Sequence, residues 1–149
     1  MINMVPIRPE EREDFLRMAV GYFSELNPGF VPSPEWKEHY FPNIISNPRF
    51  FLRWIACDGT RAGFILFGLE NHRFLPKQNG VVYELYVLPE FRRHGIAKEC
   101  ANRAIQELWQ YSPSKIQLEV LAGSSAAAFW RSVGFHKVTE RFVLDRRER

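Results

Sequence analysis

The sequence predicts a mixed α+β protein: a central, mostly antiparallel sheet with helices on both faces. Three observations lead there. Two strand-like runs, Phe50 to Cys57 and Arg61 to Leu69, are joined by Asp58-Gly59, a strong signal for a tight hairpin. An unbroken apolar run, Val81 to Leu88, precedes a helical stretch and then another strand pattern, so a crossover must join a locally parallel pair. That run also fails to alternate, as expected of a central strand covered on both faces.

Each element has a local reason. Ile2 to Arg8 suits a short strand that Pro6 confines to an edge. Pro9 then opens a helix whose first turn carries Glu10, Glu11, Glu13 and Asp14, complementing the helix dipole. Phe15, Met18, Ala19, Tyr22, Phe23 and Leu26 give it one apolar face, and Asn27-Pro28-Gly29 stops it. Ser33-Pro34 caps a short second helix with Trp36, Tyr40 and Ile44 on one side, weakened by Pro42. After the hairpin, Glu70 to Gly80 reads as a polar loop closed by Asn79-Gly80. Pro89 ends the apolar strand. Gly95 to Gln110 is a helix with apolar rows four residues apart. Ile116, Leu118 and Val120 alternate as a strand. Ser124 to Val133 is a helix closed by Gly134, and Phe135 to Leu144 reads as a last strand before a solvated DRRER tail.

The 149 residues fit one domain, 1–149, large enough to bury a core. Apolar residues make up 46% and charged residues 25%, a globular rather than a disordered balance. Thirteen Phe and four Trp imply a bulky core or an aromatic-lined pocket. A net charge of +3 suits an anionic ligand but is too small to indicate nucleic acid. The arginines near the tail (Arg141, Arg146, Arg147 and Arg149) are interspersed with acids. Cys57 and Cys100 lack metal-type spacing and read as free thiols in a reducing cytosol. The four histidines are scattered, so no metal is expected. No apolar run approaches the roughly 18 residues of a membrane span, and no signal-peptide core is present. A cytoplasmic protein is expected.

Two features carry chemistry. The first is the bend Glu90-Phe91-Arg92-Arg93-His94-Gly95-Ile96-Ala97 between strand and helix. The first amides of a helix lack internal partners and sit at the positive end of its dipole. Gly95 removes a side chain that would hold an anion off, Ala97 is small, and Arg92 and Arg93 add charge. The bend therefore suits a pyrophosphate. A plain strand-to-helix turn with solvated arginines is the competing reading. The second feature is Glu84, the one charged side chain inside the central strand.

The stretch VYELYVLPEFRRHGIA resembles motif A of the GNAT superfamily of acyl-CoA-dependent N-acetyltransferases, whose [QR]-x-x-G-x-[GA] signature is met by Arg92, Gly95 and Ala97. AAAFWRSVGF, Ala126 to Phe135, is similar to that family's motif B, and the two motifs lie in the family's order. The resemblance implies a GNAT-like fold and acetyl-CoA as co-substrate, with no metal. It implies that the amides of Arg93, His94, Gly95, Ile96 and Ala97 hold the pyrophosphate. It implies that Leu85, Tyr86 and Val87 pair their backbone with the acetyl-pantetheine arm, which inserts where the next strand splays away. Trp130 is then expected to pack beside that arm.

An N-acetyltransferase must take a proton from an alkylammonium before the amine can attack a thioester. Glu84 is a candidate general base, its pKa raised by desolvation. The alternatives are an anchor for the substrate ammonium and a structural carboxylate paired with a core arginine such as Arg53 or Arg61. The Val87 N–H is the candidate oxyanion donor. The sequence departs from the family at two places: Trp130 stands where many members carry a tyrosine acid, and Gly123 where an asparagine is common. A thiolate can leave without that acid and take its proton from water. Tyr83 and Tyr86 are substitutes of lower merit. Phe30, Trp36, Tyr40 and Phe41 come from the region that walls the acceptor pocket in the resembled family. The reading is an acyltransferase that acts by direct attack of a primary amine, on a small molecule or a peptide. It has no nucleic-acid or membrane partner, and a homodimer is compatible with it. The rival is a catalytically weak acyl-CoA-binding or sensor domain.

Overall fold

The computed structural model describes residues 1–146 and falls into two compact units, Met1–Glu119 and a second running on from Val120. The expected tail extends into residues 147–149, outside the described residues.

The first unit is built on a five-stranded sheet in the order β1-β2-β3-β4-β5, comprising Ile2–Pro6, Phe50–Cys57, Thr60–Asn71, Gln78–Val87 and Ile116–Gln117. The first four strands pair antiparallel; β4 and β5 pair parallel. Asp58 and Gly59, both at positive φ, turn the β2–β3 hairpin. Helix α1 (Arg12–Leu26) follows a 3-10 turn over Pro9–Glu11, and α2 is Pro34–Ile45. The cap on α2 is the expected one: the Ser33 hydroxyl accepts from the Trp36 N–H at 3.0 Å. Pro42 does not end α2. The helix runs through to Ile45, with Phe41 and Ile44 buried on either side of the proline. Packing of those two side chains outweighs the one lost hydrogen bond.

The two faces of the sheet differ. Helices α1 and α2 cover one face with an aromatic cluster: Phe15 and Phe64 are fully buried, in edge contact at 5.1 Å, and Phe41, Trp54 and Tyr86 close around them. Helix α3 (Ile96–Trp109) covers the other face with small side chains. Cys100, Ala101 and Ala104 are fully buried, which lets the helix lie close against the strands. Burial pushes the Cys100 thiol up to about 11, so it is inert packing rather than a nucleophile.

Two features of β4 set up the site. Its register against β3 slips by one residue: Leu66 faces Glu84 and Phe67 faces Val82, leaving Tyr83 as an extra residue in a bulge. A bulge exchanges the faces of everything beyond it. A side chain at Gly80 would meet Leu108 on α3, whereas Tyr86 points at α1, where its hydroxyl lies 3.3 Å from the position of a Cβ on Gly21. Glu84 and Tyr86 thus face α1 and α2 because of one inserted residue. Pairing with β5 also stops early. The sequence pattern predicts a strand from Ile116 to Val120, yet among the described residues pairing with β4 is limited to Gly80–Ile116 and Val81–Gln117. β4 also begins earlier than expected, at Gln78, taking Asn79 and Gly80 out of the anticipated loop.

In the second unit, α4 (Ala126–Val133) ends at Gly134 with φ 123°, as expected. The last strand expected from Phe135 to Leu144 is not formed among the described residues. Phe142 and Leu144 are 88% and 97% exposed. Strand propensity alone supplies no neighbouring strand, and without one an alternating sequence does not form a sheet.

Candidate active site

The site is built around the open half of β4. Beyond Val81 the strand has β3 on one side and, among the described residues, no strand on the other. Which peptide groups face the open side follows from alternation along a strand. The Leu88 N–H donates to the Ala62 carbonyl at 2.7 Å, so it faces β3. The Tyr86 carbonyl faces the same way, since a Cβ added at Gly63 would lie 1.9 Å from it. The intervening residues, Leu85 and Val87, therefore turn their N–H and C=O groups toward the open edge. Of the three residues expected to pair with the arm, Leu85 and Val87 present their peptide groups to that edge and Tyr86 presents its own to β3. Its side chain is equally committed, donating to Glu25 Oε2 at 2.8 Å.

The bend after β4 has an unusual backbone. Arg93 (φ 67°) and Gly95 (φ 74°) are both left-handed, with His94 between them at negative φ. Alternating signs of φ bring successive amides toward one point, the concavity that binds anions. For Arg93, a non-glycine, this conformation costs about 1 kcal/mol. Gly95 is the N-cap of α3, and a Cβ there would project into open space rather than into protein. The amides of Ile96 and Ala97 precede any acceptor inside the helix. These features fit a diphosphate.

Arg92 is placed differently from the expectation of a free charge in the bend. Its Nε donates to the Val87 carbonyl at 2.8 Å and its Nη2 bridges both carboxylate oxygens of Glu25 at 2.8 Å. The guanidinium also lies over the Tyr86 ring, 5.7 Å from its centroid. Arg92 ties the strand end to α1, and Arg93 is the arginine left to add charge. The His94 ring turns back within the bend, its Nδ1 3.3 Å from the Phe91 carbonyl.

Glu84 lies on the aromatic face, partly buried, and accepts a short hydrogen bond from the Tyr40 hydroxyl. Burial pushes its carboxyl up to about 7, and the Tyr40 bond pulls against that rise. The arginines considered as structural partners of Glu84 are engaged elsewhere. Arg53 is bidentate with Glu107 at 2.6 Å on the α3 side, and Arg61 is paired with Glu11 and Asp14. Tyr40 is itself fixed by rings: Trp36 stacks on it at 4.9 Å and Phe15 at 5.9 Å, with Phe23 edge-on at 5.6 Å. Burial and the neighbouring carboxylate push the Tyr40 and Tyr22 phenols far above their ordinary range, so both stay protonated. Tyr83, pushed up to about 12, reaches toward Glu70 at 3.4 Å and stacks edge-on with Phe50.

Sequence reasoning missed Glu25 and gave Tyr40 only a place in a pocket wall. Neither has a motif, because each acquires its role from a partner roughly 40 to 60 residues away. Trp130 lies on α4 in the second unit, in edge contact with Phe129 at 4.9 Å and Phe135 at 5.6 Å.

This arrangement matches known proteins. A model of the acetyltransferase (GNAT) family matches residues 13–135. The chain belongs to that family. A relative from Archaeoglobus fulgidus, an uncharacterized N-acetyltransferase, is 30% identical over 111 residues, covering 67% of this chain and 76% of its own length. The same fold occurs in the ribosomal-protein-alanine N-acetyltransferase of Brucella melitensis biovar Abortus 2308, with TM-score 0.77, 16% identity and coverage of 97% of this chain and 98% of that one. It also occurs in AAC(6')-Iy, solved with a CoA-S-monomethyl-acetylneamine bisubstrate analogue, with TM-score 0.73, 15% identity and 99% coverage of each chain. The protein is thus a GNAT acyltransferase, and its family uses acetyl-CoA. Among the described residues no helix is long and apolar enough to cross a membrane.

Proposed function

We propose that the protein transfers an acetyl group from acetyl-CoA to a primary amine, by direct attack, with Glu84 as general base. The observation that carries this reading is a partly buried carboxylate without a cationic partner among the described residues, held beside the unpaired edge of β4. An ion-paired glutamate would stay deprotonated and be a weak base. One poised near 7 accepts a proton and releases it again at physiological pH.

Acetyl-CoA supplies an activated thioester when bound. The amides of Arg93, His94, Gly95, Ile96 and Ala97 would hold its diphosphate, and the outward peptide groups of Leu85 and Val87 would align its arm. Val87 N–H would donate to the oxygen on which negative charge develops. Its carbonyl, already taken by Arg92, stays out of the reaction. Glu84 would remove the proton from the bound ammonium, directly or through water. The leaving thiolate would take its proton from solvent. The acceptor belongs to a class that includes small molecules and peptide amino groups, as the names of the structural neighbours illustrate.

Thiol release from acetyl-CoA across a panel of amines tests the reading. Release that depends on an amine and on Glu84 is the expected result. Binding of acetyl-CoA without release for any amine would favour the sensor alternative instead.

A further inference from the structure

We propose that Tyr40 is a positioning residue for acetyl transfer: its hydroxyl holds Glu84 Oε2 and so presents Oε1 to the acceptor's ammonium. This rests on the reading of Glu84 as the base and adds to it the group that aims the base.

The geometry carries the inference. A carboxylate on a strand rotates about its side-chain bonds unless something fixes it, and a proton acceptor must be held in line with its donor. Glu84 Oε2 receives the Tyr40 hydroxyl across 44 residues of sequence, joining β4 to α2. Tyr40 cannot turn freely, because Trp36 and Phe15 stack on it and Phe23 closes its edge. Trp36 lies one helical turn before Tyr40 on α2, so the segment that supplies the clamp also supplies its support. The bond is more than packing. Deleting the hydroxyl removes a donor to the charged form of the carboxylate and leaves the burial that disfavours that form.

The groups facing Glu84 are few. Tyr22 comes from α1 and Tyr40 from α2, Leu66 is opposite on β3, and Tyr86 is the next residue on the same face of β4. Tyr22 feels the Glu84 charge but makes no hydrogen bond to it. It therefore serves as an internal control.

The test is the pH dependence of kcat/KM for Tyr40→Phe, Tyr22→Phe and Glu84→Gln, with thiol release as readout. Tyr40→Phe is expected to move the acidic limb up by about one pH unit. Its activity below the limb should fall more than about tenfold, and a loss of a few-fold should persist on the high-pH plateau, where Glu84 is charged but no longer aimed, while KM for acetyl-CoA stays unchanged. Tyr22→Phe should leave the limb where it is. If Tyr40→Phe folds poorly, 3-fluorotyrosine at position 40 keeps the ring and sharpens the donor, and the limb should move down. An unmoved limb in either Tyr40 variant overturns the proposal. If Glu84→Gln itself retains the limb, the base assignment falls; if it loses the limb while Tyr40→Phe leaves it fixed, only the role of Tyr40 falls.

Discussion

Glu84 stands on β4 and Glu25 reaches the end of that strand from α1; each accepts a hydrogen bond from a tyrosine hydroxyl, yet they are made for different work. Glu25 has a full counter-charge in Arg92, whose guanidinium meets both of its oxygens. Glu84 has only a neutral phenol, and burial lifts its carboxyl to about 7. The first pair joins α1 to the end of β4 and the start of the bend. The second leaves a carboxylate whose charge is uncompensated and therefore movable near neutral pH. Charge compensation, rather than the presence of a buried carboxylate, separates structure from chemistry here.

The sharpest way to break this contrast is Glu84→Gln. It should lower kcat/KM on the order of 10³-fold near pH 8 and erase the acidic limb, since general-base catalysis contributes roughly 10² to 10⁴. An intact limb would put Glu84 in the same structural class as Glu25.

The second effect is on stability. Because the folded pKa of Glu84 lies above its value in the unfolded chain, the folded protein holds this proton more tightly. That contribution is complete below about pH 4.5 and is lost as pH rises through 7. Relative to Glu84→Gln, the wild type should lose roughly 2–3 kcal/mol between pH 5 and 8, at about 1.4 kcal/mol per pH unit. Urea unfolding at the two pH values measures this. Equal losses in both proteins would remove the raised carboxyl.

The third prediction concerns the bend. Gly95→Val places a branched side chain at φ 74°, in the open space before α3. Affinity for coenzyme A, read by calorimetry, should fall about tenfold or more while the sheet stays folded. The smallest effect belongs to Glu25→Gln. Arg92 and Glu25 are 41% and 44% exposed, so the pair contributes at most about 1 kcal/mol to stability. Freed from Glu25, Arg92 no longer ties the bend to α1, and the KM for acetyl-CoA should rise a few-fold with the acidic limb unmoved. A shifted limb would mean that the two carboxylates act as one site.

The same contrast marks what the sequence reveals. Elements set by local pattern were legible: the Asp58-Gly59 hairpin, the amphipathic faces of α1 and α3, the crossover to a parallel strand, and the glycine opening α3. Glu84 stood out because a charge interrupts an apolar strand, and the bend stood out through its arginines and glycine. What depends on distant partners was hidden. The bulge at Tyr83 has no glycine or proline to announce it, yet it alone turns Glu84 toward the tyrosines. β5 stops at Gln117 although its alternation continues to Val120, and α2 passes through Pro42 because Phe41 and Ile44 anchor it. The pairing of Arg92 with Glu25, 67 residues away, has no trace in the local pattern of the bend.

Backbone amide hydrogen exchange, with and without coenzyme A, tests the central claim most directly. The outward amides of Leu85 and Val87 and those of Gly95, Ile96 and Ala97 should gain protection. Glu84 and Tyr86, whose amides turn toward β3, should change little. Protection that appears on Tyr86 but not on its neighbours, or that leaves both the open edge and the bend untouched, would contradict the account.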